Sequence, residues 1–257
     1  MFGKRILILV AHPDDEVVGC AASIARARAQ GATVSALYLT NGCLAQDVLW
    51  PWQRKKYDRF VATRRAEADA AATFLGLQPV GWAERPARQL WREMPQVFQE
   101  IDSALDRYRP DQLWVPAYEG GNPDHDALNA LGFKCKTRRS VLEFAEYNFF
   151  GGKTRTQQFI SSDETARVLS LTPEESVVKG KALKIYASEA GNLSSIALDQ
   201  ESYRPIQAYD YAQPPHQGKL WYERFQWVPF RHPRVDRTRS EEVSRAIAAF
   251  MDYAQTL

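Results

Sequence analysis

Residues 6–16 read Ile-Leu-Ile-Leu-Val-Ala-His-Pro-Asp-Asp-Glu, an unbroken apolar run followed by an imidazole and three carboxylates. Such a continuous apolar run is typical of a parallel strand that is buried on both faces. In open α/β sheets, ligands bind beyond the carboxyl ends of such strands. The stretch therefore predicts both a parallel sheet and a site at its edge.

The side chains at the end of this run, His12, Asp14 and Asp15, have the chemistry of a metal site. Neutral imidazole and carboxylate are ligands of a borderline divalent ion such as zinc. Two adjacent carboxylates on a turn face different ways, so one can bind the ion while the other acts as a base. The alternative is that both aspartates only cap the following helix, a role that Asp fills well. One cap does not require four polar groups in a row, so the pattern favours a metal site.

The first 120 residues alternate strand and helix patterns. This alternation predicts an α/β fold with a Rossmann-like, mostly parallel sheet and helices on both faces. The predicted strands cover residues 5–11, 33–40, 79–83 and 111–116. The predicted helices cover residues 16–30, 58–75 and 92–108.

The pattern is looser in the second half of the chain. Strands are predicted at 141–147 and 157–160, and two helices are predicted to begin at capping boxes in 172–175 and 238–241. Residues 203–233 are rich in Pro, Tyr, Trp and Arg and have no clear period. We expect this irregular C-terminal region to cap the mouth of the site.

Length and composition bound the class of protein. The chain of 257 residues suits one large α/β domain, so residues 1–257 are predicted to form a single domain. The longest apolar run, residues 6–11, is far too short to span a membrane, so no integral membrane segment is expected. The chain enters its first strand without a leader pattern, which predicts a cytoplasmic location. The net charge of +2 and the lack of a recognition motif argue against nucleic-acid binding.

A second polar cluster follows the strand that is predicted to end at Pro116. It reads Tyr-Glu-Gly-Gly-Asn-Pro-Asp-His-Asp over residues 118–126. His12 and His125 each follow a predicted parallel strand, so both would reach the same edge of the sheet. Two histidines and one carboxylate make a three-ligand site with an open position for water, the arrangement of hydrolytic zinc. The same ligands also suit Fe²⁺ or another divalent metal.

These two clusters carry a resemblance to a known family. Residues 11–16 and 123–125 together are similar to the motifs of the PIG-L/LmbE-like family of zinc-dependent N-acetylglucosaminyl deacetylases. Residues 64–68, 181–189 and 222–225 resemble later motifs of the same family. The resemblance covers most of the chain, and its first motif is the most specific.

The resemblance implies a hydrolase that removes the acetyl group from an N-acetylated amino sugar or glycoconjugate, its small-molecule partner. It implies that His12, Asp15 and His125 hold the metal. It also implies that Asp14 is the general base on metal-bound water and that Arg64 contacts the substrate.

Asn122 departs from the family pattern, which usually has histidine at this position. As a cation, that histidine stabilises the tetrahedral oxyanion or protonates the departing amine, whereas an amide donates hydrogen bonds but supplies no proton. We hypothesise that Asp14 acts first as base and then as acid, while Asp124 holds the Asn122 amide in place. The alternative is a non-catalytic or altered-activity member that binds sugar or metal.

Trp50 and Trp52 lie in the long connection after the second predicted strand. Their aromatic faces suit sugar rings or acyl chains, so both are candidate substrate contacts; packing on the body of the domain is the alternative. A nucleotide-binding oxidoreductase is disfavoured, because the first turn lacks G-x-G-x-x-G and its carboxylates would repel pyrophosphate. The identity of the sugar, its attached group and the oligomeric state, including a homo-oligomer, stay open.

Overall fold

The apolar run at the start of the chain forms strand β1 (Arg5–Val10), which is buried along nearly its whole length. The structure is a computed structural model that describes residues 2–161, 163–230, 232–233 and 235–254. Further strands in these ranges are β2 (Thr33–Tyr38), β3 (Gln78–Trp82), β4 (Gln112–Pro116), β5 (Ser140–Phe144), β6 (Tyr147–Asn148), β7 (Arg155–Thr156), β8 (Arg167–Ser170) and β9 (Gln200–Pro205). The α-helices there are α1 (Asp15–Ala29), α2 (Pro51–Arg54), α3 (Tyr57–Leu75), α4 (Met94–Tyr108), α5 (Pro123–Cys135), α6 (Pro173–Ile185), α7 (Ala190–Leu193) and α8 (Ser240–Tyr253).

One sheet organises the described part of the chain, with seven strands in the order β3-β2-β1-β4-β5-β9-β8. Neighbours from β3 to β5 are parallel, whereas β9 is antiparallel to both β5 and β8. The chain runs from β1 towards one edge and then returns to β4 on the other side of β1. This reversal creates a crevice beyond the carboxyl ends of β1 and β4, where α/β folds bind ligands. The predicted α/β fold with a mostly parallel sheet is confirmed.

Helices cover both faces of the sheet, as the apolar run requires. On one face, Leu7 and Leu9 of β1 share a buried cluster with apolar residues of α4, α5 and α8. On the other face, Ile6, Ile8 and Val10 share a cluster with residues of α1, α3 and α6. In the described ranges, no helix combines the length and apolar character needed to cross a membrane.

The second half of the chain differs from the sequence prediction. No strand covers residues 157–160 in the structure, because Gln157 has a φ of 58°, a left-handed conformation that interrupts an extended chain. The region predicted to be irregular begins later than residue 203, since β9 runs to Pro205 and lies within the main sheet. Strand pairing depends on residues distant in sequence, so β8 and β9 were not evident from the local pattern.

A buried ion pair fixes β9 and α6 to the middle of α1. The Nζ atom of Lys179 lies 3.3 Å from Oε1 of Glu201, and both side chains are fully buried. The Glu201 carboxylate also accepts hydrogen bonds from the backbone N–H groups of Ala22 and Ser23, each at 2.9 Å. Because α1 begins at the sheet edge, this anchor helps to hold the first polar cluster in place.

Candidate metal centre

Three predicted metal ligands converge at the crevice between β1 and β4. His12 follows β1, Asp15 begins α1, and His125 lies in the first turn of α5. Nε2 of His125 is 3.2 Å from Nδ1 of His12 and 3.2 Å from Oδ1 of Asp15. Nδ1 of His12 is 3.8 Å from the same Asp15 oxygen, and all three side chains are buried.

The spacing of these donor atoms fits a bound metal ion. Zinc bonds to nitrogen and oxygen of roughly 2.0–2.2 Å place the donors of a tetrahedral shell about 3.3–3.6 Å apart. The three donors could therefore contact one ion. Burial acts to lower the pKa of His12, but hydrogen bonds to Asp124 and Asp15 outweigh it and raise this pKa to about 10. The carboxylates thus favour positive charge at this point of the crevice.

A tight turn arranges the two neighbouring aspartates for different contacts. The Asp15 backbone N–H donates to the His12 carbonyl at 3.1 Å, and the Asp15 Oδ2 atom accepts from the His12 N–H at 2.8 Å. Asp14 has a φ of 137°, which is unfavourable for a residue other than glycine. Such strain costs about 1–3 kcal/mol and recurs at functional sites.

Asp124 contacts His12 at the ring nitrogen that does not face His125 and Asp15. Its Oδ2 atom is 3.0 Å from Nε2 of His12, and its carboxylate also accepts hydrogen bonds from the N–H groups of Arg88 and Leu90. A carboxylate in this position favours the tautomer that would leave Nδ1 available to a metal ion. Asp124 therefore commits its carboxylate to His12, and its predicted part in catalysis stays a prediction. Its backbone N–H, at 3.0 Å from Oδ1, is what holds the Asn122 side chain.

Arg64 is a buried partner of Asp14. Only 3% of Arg64 is exposed, and its Nη2 atom lies 3.1 Å from Oδ2 of Asp14 and donates to the Pro13 carbonyl. Glu67 and Glu189 lie within 3.8 Å of its other terminal nitrogen. The guanidinium is thus enclosed by protein groups, and its predicted contact with the substrate stays a prediction. Burial raises the pKa of Asp14 well above its usual value, and the charge of Arg64 opposes the rise.

Asn122 caps α5 and lies at the crevice. Its Oδ1 atom accepts the Asp124 N–H, so its amide N–H₂ group is directed away from the helix. Burial raises the pKa of Tyr147 well above its usual value, and hydrogen bonding with the Asn122 side chain acts against that rise. Asn122 is half-buried, as is Asp14, whose side chain is 14% exposed. These two side chains are therefore the accessible polar groups of their respective motifs.

Glu16 has the structural role that its position suggests. Its side chain is fully buried, accepts a hydrogen bond from the Tyr186 hydroxyl, and accepts another from the Asp14 N–H at 3.1 Å. Tyr186 follows α6 and belongs to the segment that resembles a later family motif. A residue of the later motif thus holds Glu16, which in turn bonds to the backbone of the turn at Asp14.

Two buried glutamates at the centre were missed by sequence reasoning. Glu146 follows β5, and its Oε1 atom is 3.9 Å from Nδ1 of His125. Glu119 follows β4, and its Oε1 atom accepts the Glu146 N–H at 2.7 Å. The available signal for Glu146 was an acidic residue directly after a strand that neighbours β4. The sequence predicted that strand at 141–147, which placed Glu146 within it, whereas β5 ends at Phe144.

The two tryptophans lie at the surface. Trp50 and Trp52 are stacked with ring centroids 5.4 Å apart at an angle of 7°, and Trp52 is 65% exposed. The Trp50 ring also lies against the His232 ring, with centroids 6.1 Å apart, and His232 is one of the residues that line a cleft of about 240 Å³. Their predicted role in substrate binding stays a prediction.

A larger groove of about 820 Å³ lies at the opposite end of the sheet. It is lined by residues at the amino ends of β1, β4 and β5, among them Arg5, Asp111 and Ser140. The predicted ligands follow the carboxyl ends of the strands, so this groove is not part of the candidate metal centre.

Comparison with known proteins now places these features in a family. Residues 7–136 match the model of the PIG-L family, described as GlcNAc-PI de-N-acetylase. The chain belongs to the PIG-L family. The resemblance seen in the sequence motifs is thereby confirmed.

A curated relative and two solved structures are similar to the chain. A 1D-myo-inositol 2-acetamido-2-deoxy-alpha-D-glucopyranoside deacetylase from Nocardioides sp. (strain ATCC BAA-499 / JS614) is 36% identical over 80 residues. That match covers 30% of this chain and only 26% of the relative.

A deacetylase from the teicoplanin biosynthesis pathway has a TM-score of 0.64 and 20% identity, covering 80% of this chain and 99% of that one. The 4-carboxy-2-hydroxymuconate hydratase GalB from Pseudomonas putida KT2440 has a TM-score of 0.52 and 14% identity, covering 80% and 97%. At these identities, both structures show a shared fold only. Because one of them is a hydratase, the fold alone does not fix the reaction.

Proposed function

We propose that this PIG-L family member is a metal-dependent deacetylase that acts on an N-acetylated amino sugar or its glycoconjugate. The observation that carries the proposal is the convergence of His12, Asp15 and His125 on one point, with the carboxylate of Asp14 beside them. The family description and the curated relative both concern N-acetylglucosamine linked to inositol, which supports this substrate class.

Zinc is the metal that we propose, since two imidazoles and one carboxylate with an open position are typical of hydrolytic zinc. Fe²⁺ fits the same donors. When bound, the ion would polarise the amide carbonyl and lower the pKa of a water molecule.

Asp14 is the proposed general base. It takes a proton from the attacking water as the new carbon–oxygen bond forms. Arg64 holds the Asp14 carboxylate by a contact of 3.1 Å, so the base is oriented before substrate arrives. The exposed part of Asp14 gives it access to water and substrate.

Asn122 is the proposed donor to the developing oxyanion. Because its Oδ1 atom is occupied by the Asp124 N–H, its amide nitrogen is the part that can donate. One such donor contributes about 2.7–4 kcal/mol to transition-state stabilisation. When the carbon–nitrogen bond breaks, Asp14 returns its proton to the leaving amine, and acetate and a free amine are released.

Asn122 also supports a second candidate function. Without a histidine at this position, the chain could bind an amino sugar or a metal and have altered activity or none. Binding without acetate release distinguishes this candidate from the deacetylase.

The test is acetate release by the purified protein from N-acetylglucosamine and N-acetylglucosaminyl-inositol, with and without a chelator. The proposal predicts release that is lost on chelation and restored by Zn²⁺ or Fe²⁺. Tight metal binding without cleavage of any N-acetylated amine would instead support the second candidate.

A further inference from the structure

Glu146 lies at the metal centre but has no part in the proposed reaction. Its side chain is 1% exposed, and within the described part of the chain neither carboxylate oxygen has a hydrogen-bond partner. Burying a carboxylate without partners is costly. A buried group of this kind therefore indicates a partner that completes the site.

The geometry of His125 identifies that partner. Its Nε2 atom faces His12 and Asp15, each at 3.2 Å. Its Nδ1 atom, on the other side of the ring, is 3.9 Å from Oε1 of Glu146. That distance exceeds a hydrogen bond by about 1 Å. The carboxylate makes no hydrogen bond that would oppose a rotation of the side chain towards Nδ1.

The other histidine ligand already shows the completed arrangement. Asp124 lies 3.0 Å from Nε2 of His12, on the side of the ring away from the ligand atom Nδ1. Histidines that bind metals commonly donate their second N–H to a carboxylate, which fixes the tautomer and makes the ligand more basic. Glu146 likewise lies beside the ring nitrogen of His125 that does not face the other ligands, at the longer distance of 3.9 Å.

We propose that Glu146 is the positioning residue of His125, accepting a hydrogen bond from Nδ1–H so that Nε2 is directed at the metal. This inference rests on the proposed metal centre. Glu146 is not one of the three residues whose donor atoms converge on one point, and its carboxylate lies beside the other ring nitrogen of His125.

The test compares Glu146→Gln with Glu119→Gln in the full chain. Glu119 is a neighbouring buried carboxylate that accepts the Glu146 backbone N–H, whereas the Glu146 carboxylate lies beside His125, so Glu119 is the matched control. Loss of such a supporting carboxylate typically weakens metal binding about 10- to 100-fold. We expect that change in the Zn²⁺ dissociation constant of Glu146→Gln, measured by competition with a chromophoric chelator. We expect Glu119→Gln to stay within about threefold of wild type.

Two further readouts separate positioning from a structural role. The metal-free Glu146→Gln protein should be about as stable to urea as wild type, because Gln has nearly the same size and shape as Glu and the Glu146 carboxylate makes no side-chain hydrogen bond that the variant would lose. In the zinc-loaded wild-type protein, ¹⁵N NMR should show His125 protonated at Nδ1, with a proton that is shifted downfield and protected from exchange.

The outcomes distinguish failure of the inference from failure of the proposed function. If wild type binds Zn²⁺ but Glu146→Gln binds it equally well, the positioning role is overturned. A His125 Nδ1 without a proton in the zinc-loaded wild type overturns it as well. If wild type itself binds no divalent metal, the metal centre fails first.

Discussion

At the scale of single residues, the first turn gives its two adjacent aspartates different environments. Asp15 is fixed by the His12 N–H and faces both histidines, whereas Asp14 faces Arg64 and is partly exposed. Asp14, with its φ of 137°, and Asp15 thus contact different partners although they are adjacent in sequence. The proposed ligand and the proposed base therefore occupy neighbouring positions.

Asp14→Asn tests the division of tasks in this turn. Asn tolerates a positive φ better than most residues, so the turn and the ligands should be retained. Because an amide cannot take the proton, kcat should fall by about 10²- to 10⁴-fold while one metal ion per chain is retained. Steady-state kinetics measures kcat, and metal analysis measures the metal content. Appreciable turnover by the metal-loaded variant would show that Asp14 is not the base.

Asn122→Asp tests the amide as an oxyanion donor. An ionised Asp still accepts the Asp124 N–H and caps α5, but it has no N–H to donate. We expect nearly unchanged thermal stability and a kcat lower by about 10²- to 10³-fold. Asn122→Ala, which loses the cap as well, is the control for helix stability. Wild-type kcat in Asn122→Asp would show that the amide donates nothing to the transition state.

Glu119 predicts a pH dependence of stability. Burial raises the pKa of Glu119 to about 7, with hydrogen bonds from Glu146 and Asn148 opposing the rise and the charge of Glu143 adding to it. Between pH 4.5 and 7 the folded chain therefore keeps a proton that the unfolded chain has lost, and this contribution to stability falls as pH rises.

Glu119→Gln should remove this dependence. Relative to wild type, the variant should gain unfolding free energy between pH 5 and pH 8, by up to about 1.4 kcal/mol per pH unit within the window. Urea denaturation at both pH values measures the difference. A constant difference between the two proteins would contradict the shifted pKa.

At the scale of elements, the antiparallel strand β9 and helix α6 fix α1. Glu201 of β9 accepts backbone N–H groups from the middle of α1, and Lys179 of α6 neutralises its charge. This network joins three elements that are distant in sequence. It therefore stabilises the helix that begins with Asp15, a proposed metal ligand.

Lys179→Met should destabilise the protein because it leaves Glu201 buried without its counter-ion. Breaking a buried ion pair from one side costs about 3–5 kcal/mol. Lys184→Met, at an exposed position of the same helix, is the matched control and should change stability by less than about 0.5 kcal/mol. Chemical denaturation compares the two, and equal stabilities would contradict the role of the pair.

The parts of the fold that follow from local pattern were predictable from the sequence. Strand β1 and its polar end were evident because an apolar run and the metal-ligand side chains are adjacent in the chain. Strands β8 and β9 were not, since their pairing links segments about 30 residues apart and Arg167–Ser170 is short and largely exposed. The burial of Arg64 and the position of Glu146 also depend on tertiary contacts that no local spacing shows.

At the scale of the whole molecule, the sheet topology brings the two polar clusters together. The first cluster follows β1 and the second follows β4, and these strands are neighbours although more than 100 residues separate them. The crevice at this switch point is therefore where His12, Asp15 and His125 can meet. The central claim is that these three side chains bind one divalent ion.

X-ray absorption spectroscopy of the zinc-loaded protein tests this claim directly, with His125→Ala as the comparison. Wild type should bind one zinc per chain with two imidazole nitrogens and at least one oxygen at about 2.0–2.2 Å. His125→Ala should show one imidazole fewer and weaker binding. The same number of imidazoles in both proteins, or no zinc bound by wild type, would contradict the claim.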